Sequence, residues 1–164
     1  MPLEKELGLK EPIATSEHEA VLNIYYTASL LKKCADDFFR DFGLTDVQFN
    51  VLALIEYQSG SAGGLTQAKI GEMMLVNRAN ITSLIDRMEK SQLVERTADT
   101  DRRTNIIKMT AKGKKLFTKV EPLYLKQVRQ VMSPVDKPEQ KKIITVLEKI
   151  RMGLSEDTMK NFKE

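Results

Sequence analysis

One cysteine and one histidine are all that this 164-residue chain holds of the thiol and imidazole ligands from which disulfides and most structural zinc sites are built. Cys34 has no second thiol for an intramolecular bridge, and with His18 it falls short of the four ligands of a structural zinc site. No apolar run approaches the roughly 20 residues that span a bilayer. The opening stretch, MPLEKELGLKEP, is charged and unlike a signal sequence. A Gly-rich phosphate loop is missing, and the carboxylates are spread over helix faces where solvation accounts for them. These absences predict a cytoplasmic protein without membrane, metal or cofactor, and not an enzyme. Internal repeats are absent too.

What remains is an ordinary globular composition, 41% apolar and 30% charged, enough for one domain with extensions around a core. Net charge is only +3, but it is unevenly placed. Residues 66–119 carry 12 Lys and Arg against 6 Asp and Glu, and the rest of the chain carries 14 against 17. A basic middle between slightly acidic flanks is the asymmetry expected when one segment faces a polyanion.

Ser16 followed by Glu19 has the form of a capping box. Behind it Val21, Ile24, Tyr25, Ala28, Leu31, Ala35, Phe38, Phe39 and Phe42 fall at helical spacing up to Gly43. A second box, Thr45 to Gln48, opens a helix with Val47, Val51, Leu54 and Ile55 on one face, ending in the loop-like SGSAGG. Thr66 caps a short helix expected to bury Ala68, Ile70 and Met73 or Met74. After a connection of a few residues without glycine, Asn77 caps another, with Ile81, Leu84, Ile85 and Met88 as its core stripe. Two short helices with a tight turn form a helix-turn-helix pattern.

The opposite face of this second helix carries Arg78, Ala79, Thr82, Ser83, Asp86, Arg87 and Lys90, with Asn80 at its edge. Short side chains permit close approach to a major groove, Asn and Arg can bond base edges bidentately, and cations meet phosphate. Beyond it, LVERTAD and NIIKMT read as two strands around a tip containing Asp101, Arg102 and Arg103. A hairpin tip is a poor place to stabilise a core and a good place to touch something. The whole reads as mainly α with a small β-hairpin wing. Thr110 then caps a helix with Leu116, Val120, Leu123, Tyr124, Val128 and Val131 in register, kinked or broken at Pro122. SPVDKP precedes a last helix from about Glu139, bearing Ile143, Ile144, Leu147, Ile150 and Leu154.

The run LTQAKIGEMMLVNRANITSLIDRMEKSQLVERTAD, the tip DTDRRTNIIKMTAKG and the flanking helices resemble the MarR family of bacterial and archaeal transcription regulators, over roughly residues 17–154. The resemblance implies a winged helix-turn-helix core with N- and C-terminal dimerisation helices. Its segments would be an extension over 1–15, a first dimerisation helix over 16–43, the DNA-binding lobe over 44–110 and C-terminal dimerisation helices over 111–164. It also implies a homodimer on double-stranded DNA, usually a repressor, with half-sites about one helical turn apart. The long apolar faces of the first and last helices agree, because one winged core cannot cover them all.

The implied DNA contacts are Asn77, Arg78, Asn80, Thr82, Ser83 and Arg87 on the helix. At the tip, Arg103 would enter the minor groove, Asp101 would hold its guanidinium and Arg102 would meet phosphate. Many members respond to small aromatic or anionic effectors in a cleft, for which Tyr25 and Phe49 are the wall candidates; others sense oxidants through a cysteine. Cys34 itself reads as a buried or inert thiol, with an oxidant-sensing regulator as an alternative. A winged-helix module that contacts a protein partner is the other alternative. Gln92 stands where the family usually has glycine, so the end of the reading helix is expected to close another way.

Overall fold

The computed structural model describes residues 2–60, 63–98 and 105–154. They fall into two compact units, with the boundary between Glu121 and Pro122. The first unit begins with a five-residue helix, α1 (Leu3–Leu7), closed by left-handed Gly8. Glu4 Oε1 accepts from the N–H of Ile13 at 2.7 Å and folds the segment back on itself.

Helix α2 (Ser16–Arg40) starts one position earlier than the Ser16 box implies. Thr15 is its N-cap, accepting from the N–H of His18, while the Ser16 hydroxyl donates to Glu17. Adjacent hydroxyl residues both suit a cap, and the chain uses the one with extended backbone. In α3 (Asp46–Gln58) the reciprocal Thr45–Gln48 box is present as read.

Aromatic rings from these helices, joined by Phe117 from later in the chain, form the heart of the first unit. Phe39 and Phe49 stack at 4.5 Å between centroids, and Phe49 stacks on Phe117 at 5.4 Å. Such pairs contribute about 0.5–1.5 kcal/mol beyond their burial.

A short strand follows, β1 (Leu65–Thr66), which was not visible in the sequence. It pairs antiparallel with β3 (Asn105–Met109), whose other edge pairs with β2 (Val94–Ala98), so the expected hairpin is a three-stranded sheet of order β1-β3-β2. Gly64 permits this: a Cβ there would lie 2.6 Å from both Ile106 Cγ2 and the Ile107 carbonyl oxygen.

Helix α4 (Gln67–Met73) is capped by Thr66 and buries Ile70 and Gly71. Ala68 is exposed, contrary to expectation, and of the two methionines Met73 is exposed and Met74 half-buried. The crossing with α5 (Arg78–Lys90) explains it, because Gly71 lies against Ile81 and the Val76 carbonyl, and no side chain is needed there. The stripe Ile81, Leu84, Ile85 and Met88 is buried as predicted.

Helix α6 (Ala111–Val131) runs through Pro122 without a break. The proline removes one N–H from the ladder, and the division into units falls at that residue. Within the second unit, α7 (Lys137–Gly153) begins two residues before the predicted Glu139, because Asp136 caps it in a reciprocal box with Glu139. Pro138 therefore sits in the first turn, where a missing N–H costs nothing. No residue of α7 is buried. No described helix is long and apolar enough to cross a membrane.

Candidate nucleic-acid interface

Helix α5 is held at both ends by backbone that L-residues rarely adopt. Leu75, in the turn before it, has φ +52°, and Gln92, just after it, has φ +59°. Each occupies the left-handed position of a Schellman closure. The N–H of Val76 donates to the Gly71 carbonyl at 2.9 Å, and the N–H of Leu93 donates to the Met88 carbonyl at 2.9 Å. The expected different closure at Gln92 is thus not found: glutamine takes the glycine geometry, at a conformational cost of about 1–2 kcal/mol.

Neighbours hold that end further. Thr110 Oγ1 donates to the Gln92 carbonyl at 2.6 Å and accepts from the N–H of Gly113 at 3.0 Å. Lys112 Nζ reaches the Ser91 carbonyl at 2.8 Å. A Cβ on Gly113 would lie 2.1 Å from the Leu93 carbonyl oxygen, so only glycine fits there.

The outward residues of α5 divide by what they already hold. Asn77 spends its side-chain oxygen on the N–H of Asn80 at 2.9 Å. The Thr82 hydroxyl donates to the Arg78 carbonyl at 2.8 Å and accepts from Gln67 Nε2 at 2.7 Å, tying α4 to α5. Arg78, Asn80, Ser83 and Arg87 are exposed. Arg87 Nε donates to the Ser83 carbonyl at 3.3 Å.

Two hollows flank this face. Arg78 lines one of about 470 Å³ with Gln67, Glu72 and Asn105. Asn80 and Arg87 line the other, about 710 Å³, opposite Lys32, Asp36 and Arg40 of α2 and Thr45 and Gln48 at the start of α3. Lys32 pairs with Asp36 at 2.8 Å, and Arg40 with Asp37 at 2.8 Å. The Lys32 hydrogen bond holds the Asp36 carboxyl below its ordinary pKa and raises that of Lys32. Burial pushes the nearby Asp46 up.

Arg96 on β2 is a part of this region that sequence reading missed. Its guanidinium pairs with Asp86 through Nη2 and with Glu89 through Nη1, and its own N–H donates to Glu89 Oε1 at 3.1 Å. Burial alone would lower its pKa, but the bonds to Asp86 and Glu89 outweigh that and the net shift is upward. Two acids on an otherwise cationic helix face were the available signal, since they call for a partner. Gln67 had no comparable signal.

The tip residues Asp101, Arg102 and Arg103 lie outside the described residues. The cleft pair Tyr25 and Phe49 is not brought together. Phe49 is 4% exposed inside the aromatic stack, and Tyr25 is 69% exposed on α2. Neither lines the larger hollow. Cys34, expected to be buried or inert, is exposed.

Comparison with known proteins bears on the same region. A family model described as MarR family matches residues 42–104, from the turn before α3 to the wing. The uncharacterized HTH-type transcriptional regulator YfiV of Bacillus subtilis strain 168 is 30% identical over 136 residues, covering 79% of this chain and 81% of its own length. The HTH-type transcriptional regulator PecS of Dickeya dadantii strain 3937 is 24% identical over 126 residues, covering 76% and 75%. Among solved structures, the Mycobacterium tuberculosis transcriptional regulator MosR, in complex with DNA, superposes with a TM-score of 0.67 at 27% identity, covering 83% of this chain and 98% of that one.

Proposed function

The chain belongs to the MarR family of DNA-binding transcriptional regulators, and from that premise we propose that it is a repressor that binds a pseudo-palindromic operator as a homodimer. The observation that carries the reading is the division of α5 into a buried stripe and an exposed face with Arg78, Asn80, Ser83 and Arg87. In the major groove Arg78 and Asn80 would bond base edges, and Arg87 would meet phosphate. Thr82 and Asn77, already committed inside the protein, would hold the helix in register more than read bases. Arg103 would follow the minor groove, with Asp101 holding its guanidinium and Arg102 on phosphate. The MosR structure holds DNA, which supports the same mode here.

Exposed apolar side chains support the homodimer. On α2 they include Val21, Ile24, Tyr25 and Leu31, and on α7 Ile143, Ile144, Val146 and Ile150. A second copy would remove them from water and set two α5 helices on one face of the duplex.

Release would come from a small aromatic or anionic effector in the 710 Å³ hollow, which is of the size that small molecules occupy. Lys32 and Arg40 there are each paired with an acid, Asp36 and Asp37, and Arg87 is the lining cation without an acid partner among the described residues, which favours an anion. Arg87 and Asn80 line both the hollow and the reading face, so an occupant would compete directly with DNA for them. A differential affinity of about 1–3 kcal/mol is enough to change occupancy.

Fluorescence anisotropy with the DNA upstream of the protein's own gene, against a scrambled duplex, tests this reading. Binding should prefer the upstream DNA with one dimer per site, and should weaken at least about 100-fold between roughly 50 and 200 mM salt. Equal binding to both duplexes across overlapping upstream fragments would reject the operator reading.

A further inference from the structure

Asp86 and Glu89 are out of place on α5 if that helix enters a groove lined by phosphate. Asp86 lies four residues beyond Thr82 and three beyond Ser83, on the face that carries the exposed cations, and its side chain is 51% exposed. Glu89 follows at 40%. Left alone, two carboxylates there would repel the polyanion that Arg78, Arg87 and Lys90 attract.

The fold supplies one cation to both of them. Arg96 stands in β2 opposite the fully buried Ile107 of β3, which fixes its backbone. Its side chain is only 21% exposed, and its two terminal nitrogens are each spent on one acid. Both oxygens of Glu89 are used as well, one on the guanidinium and one on the Arg96 N–H. An arginine in this setting is poorly placed to reach phosphate and well placed to cancel charge.

We propose that Arg96 is a positioning residue for DNA binding, acting through Asp86 on the groove-facing side of α5 and Glu89 at its flank by offsetting part of their negative charge. This rests on the reading that α5 enters the groove. The fork matters, because a planar guanidinium can serve two carboxylates at once where an ammonium is a single point. The two acids in turn hold the base of the wing to the helix, so the charges are retained as a linkage and partly masked where DNA approaches.

The test is operator affinity by anisotropy for four proteins: wild type, Arg96→Met, the double variant Asp86→Asn with Glu89→Gln, and all three changes together. Arg96→Met should bind at least about tenfold more weakly than wild type, with two unmasked acids facing phosphate. Neutralising the acids in that background should restore affinity to within about threefold of wild type, although the link to the wing is still missing. The double variant, which keeps Arg96, should bind as tightly as wild type or tighter, so that weakened binding by it overturns the proposal even if Arg96→Met fails to fold by circular dichroism. A triple variant as weak as Arg96→Met would overturn the proposal and make Arg96 a DNA contact or a structural tie. Equal affinities for wild type and Arg96→Met, or a weakened double variant, would overturn it too. If wild type itself binds no DNA, it is the groove reading that fails, and this proposal falls with it.

Discussion

In α5 the apolar residues Ile81, Leu84, Ile85 and Met88 are between 0% and 5% exposed, whereas in α7 Ile143, Ile144 and Ile150 are between 40% and 55%. Both helices are amphipathic, with caps at their N-termini and basic residues in their last turns. Their difference lies outside the helices. The first unit supplies α5 with α4 and the strand β2 to pack against, and all the buried apolar residues among those described lie between Leu3 and Val120. Beyond Pro122 no described apolar side chain is fully covered. An apolar stripe thus specifies a helix and a face to be hidden, and something else must do the hiding.

The largest expected effect would come from α7. Ile144→Glu with Ile150→Glu places charge on the uncovered face, and sedimentation equilibrium should show a homodimer converted to monomer, with the dissociation constant raised at least about 100-fold. An unchanged mass would break the comparison, since the face would then need no second copy. Next in size is Phe49→Ala, which removes the middle ring of the stack in the first unit. Urea denaturation should show a loss of about 3–5 kcal/mol. A loss below about 1 kcal/mol would mean that the first unit does not rest on that stack. Smallest is Gln92→Gly, which relieves a left-handed φ at the end of α5 but loosens the unfolded chain. A net gain of about 0.5–1 kcal/mol is expected, read as a higher denaturation midpoint. A loss would show that the Gln92 side chain contributes more than its backbone costs.

Local signals were the legible ones. The Thr45–Gln48 box, the Asn77 cap and the four-residue stripe of α5 depend on residues within a turn or two of each other, and sequence spacing records them directly. What sequence hid is of two kinds. Some features depend on contacts between distant segments: β1 is two residues long and exists only because β3 accepts it, and Arg96 meets Asp86 and Glu89 only after β2 folds back along α5. Others were concealed by residue type. Leu75 and Gln92 adopt a geometry normally announced by glycine, and Phe49 was offered as a cleft wall because an aromatic residue looks alike in a cleft and in a core. The outward face of α5 was legible as an exposed face, while the division of labour on it was not. Asn77 and Thr82 turn out to be occupied, and Asn80 and Arg87 to line a hollow.

The two left-handed residues that bracket α5 also fix its angular phase. An α-helix turns about 100° per residue, so a slip of one position would swing every outward side chain through more than a quarter of a circle. Leu75 and Gln92 reverse the chain just outside the helix, and each reversal is pinned by a hydrogen bond to a named carbonyl, Gly71 before and Met88 after. The 13-residue helix lies between these two closures, so a residue gained or lost within it would turn one closure against the other by about 100°. The direction in which Arg78 and Arg87 point is thus indexed by two residues outside the helix, much as a dial is set by its stops.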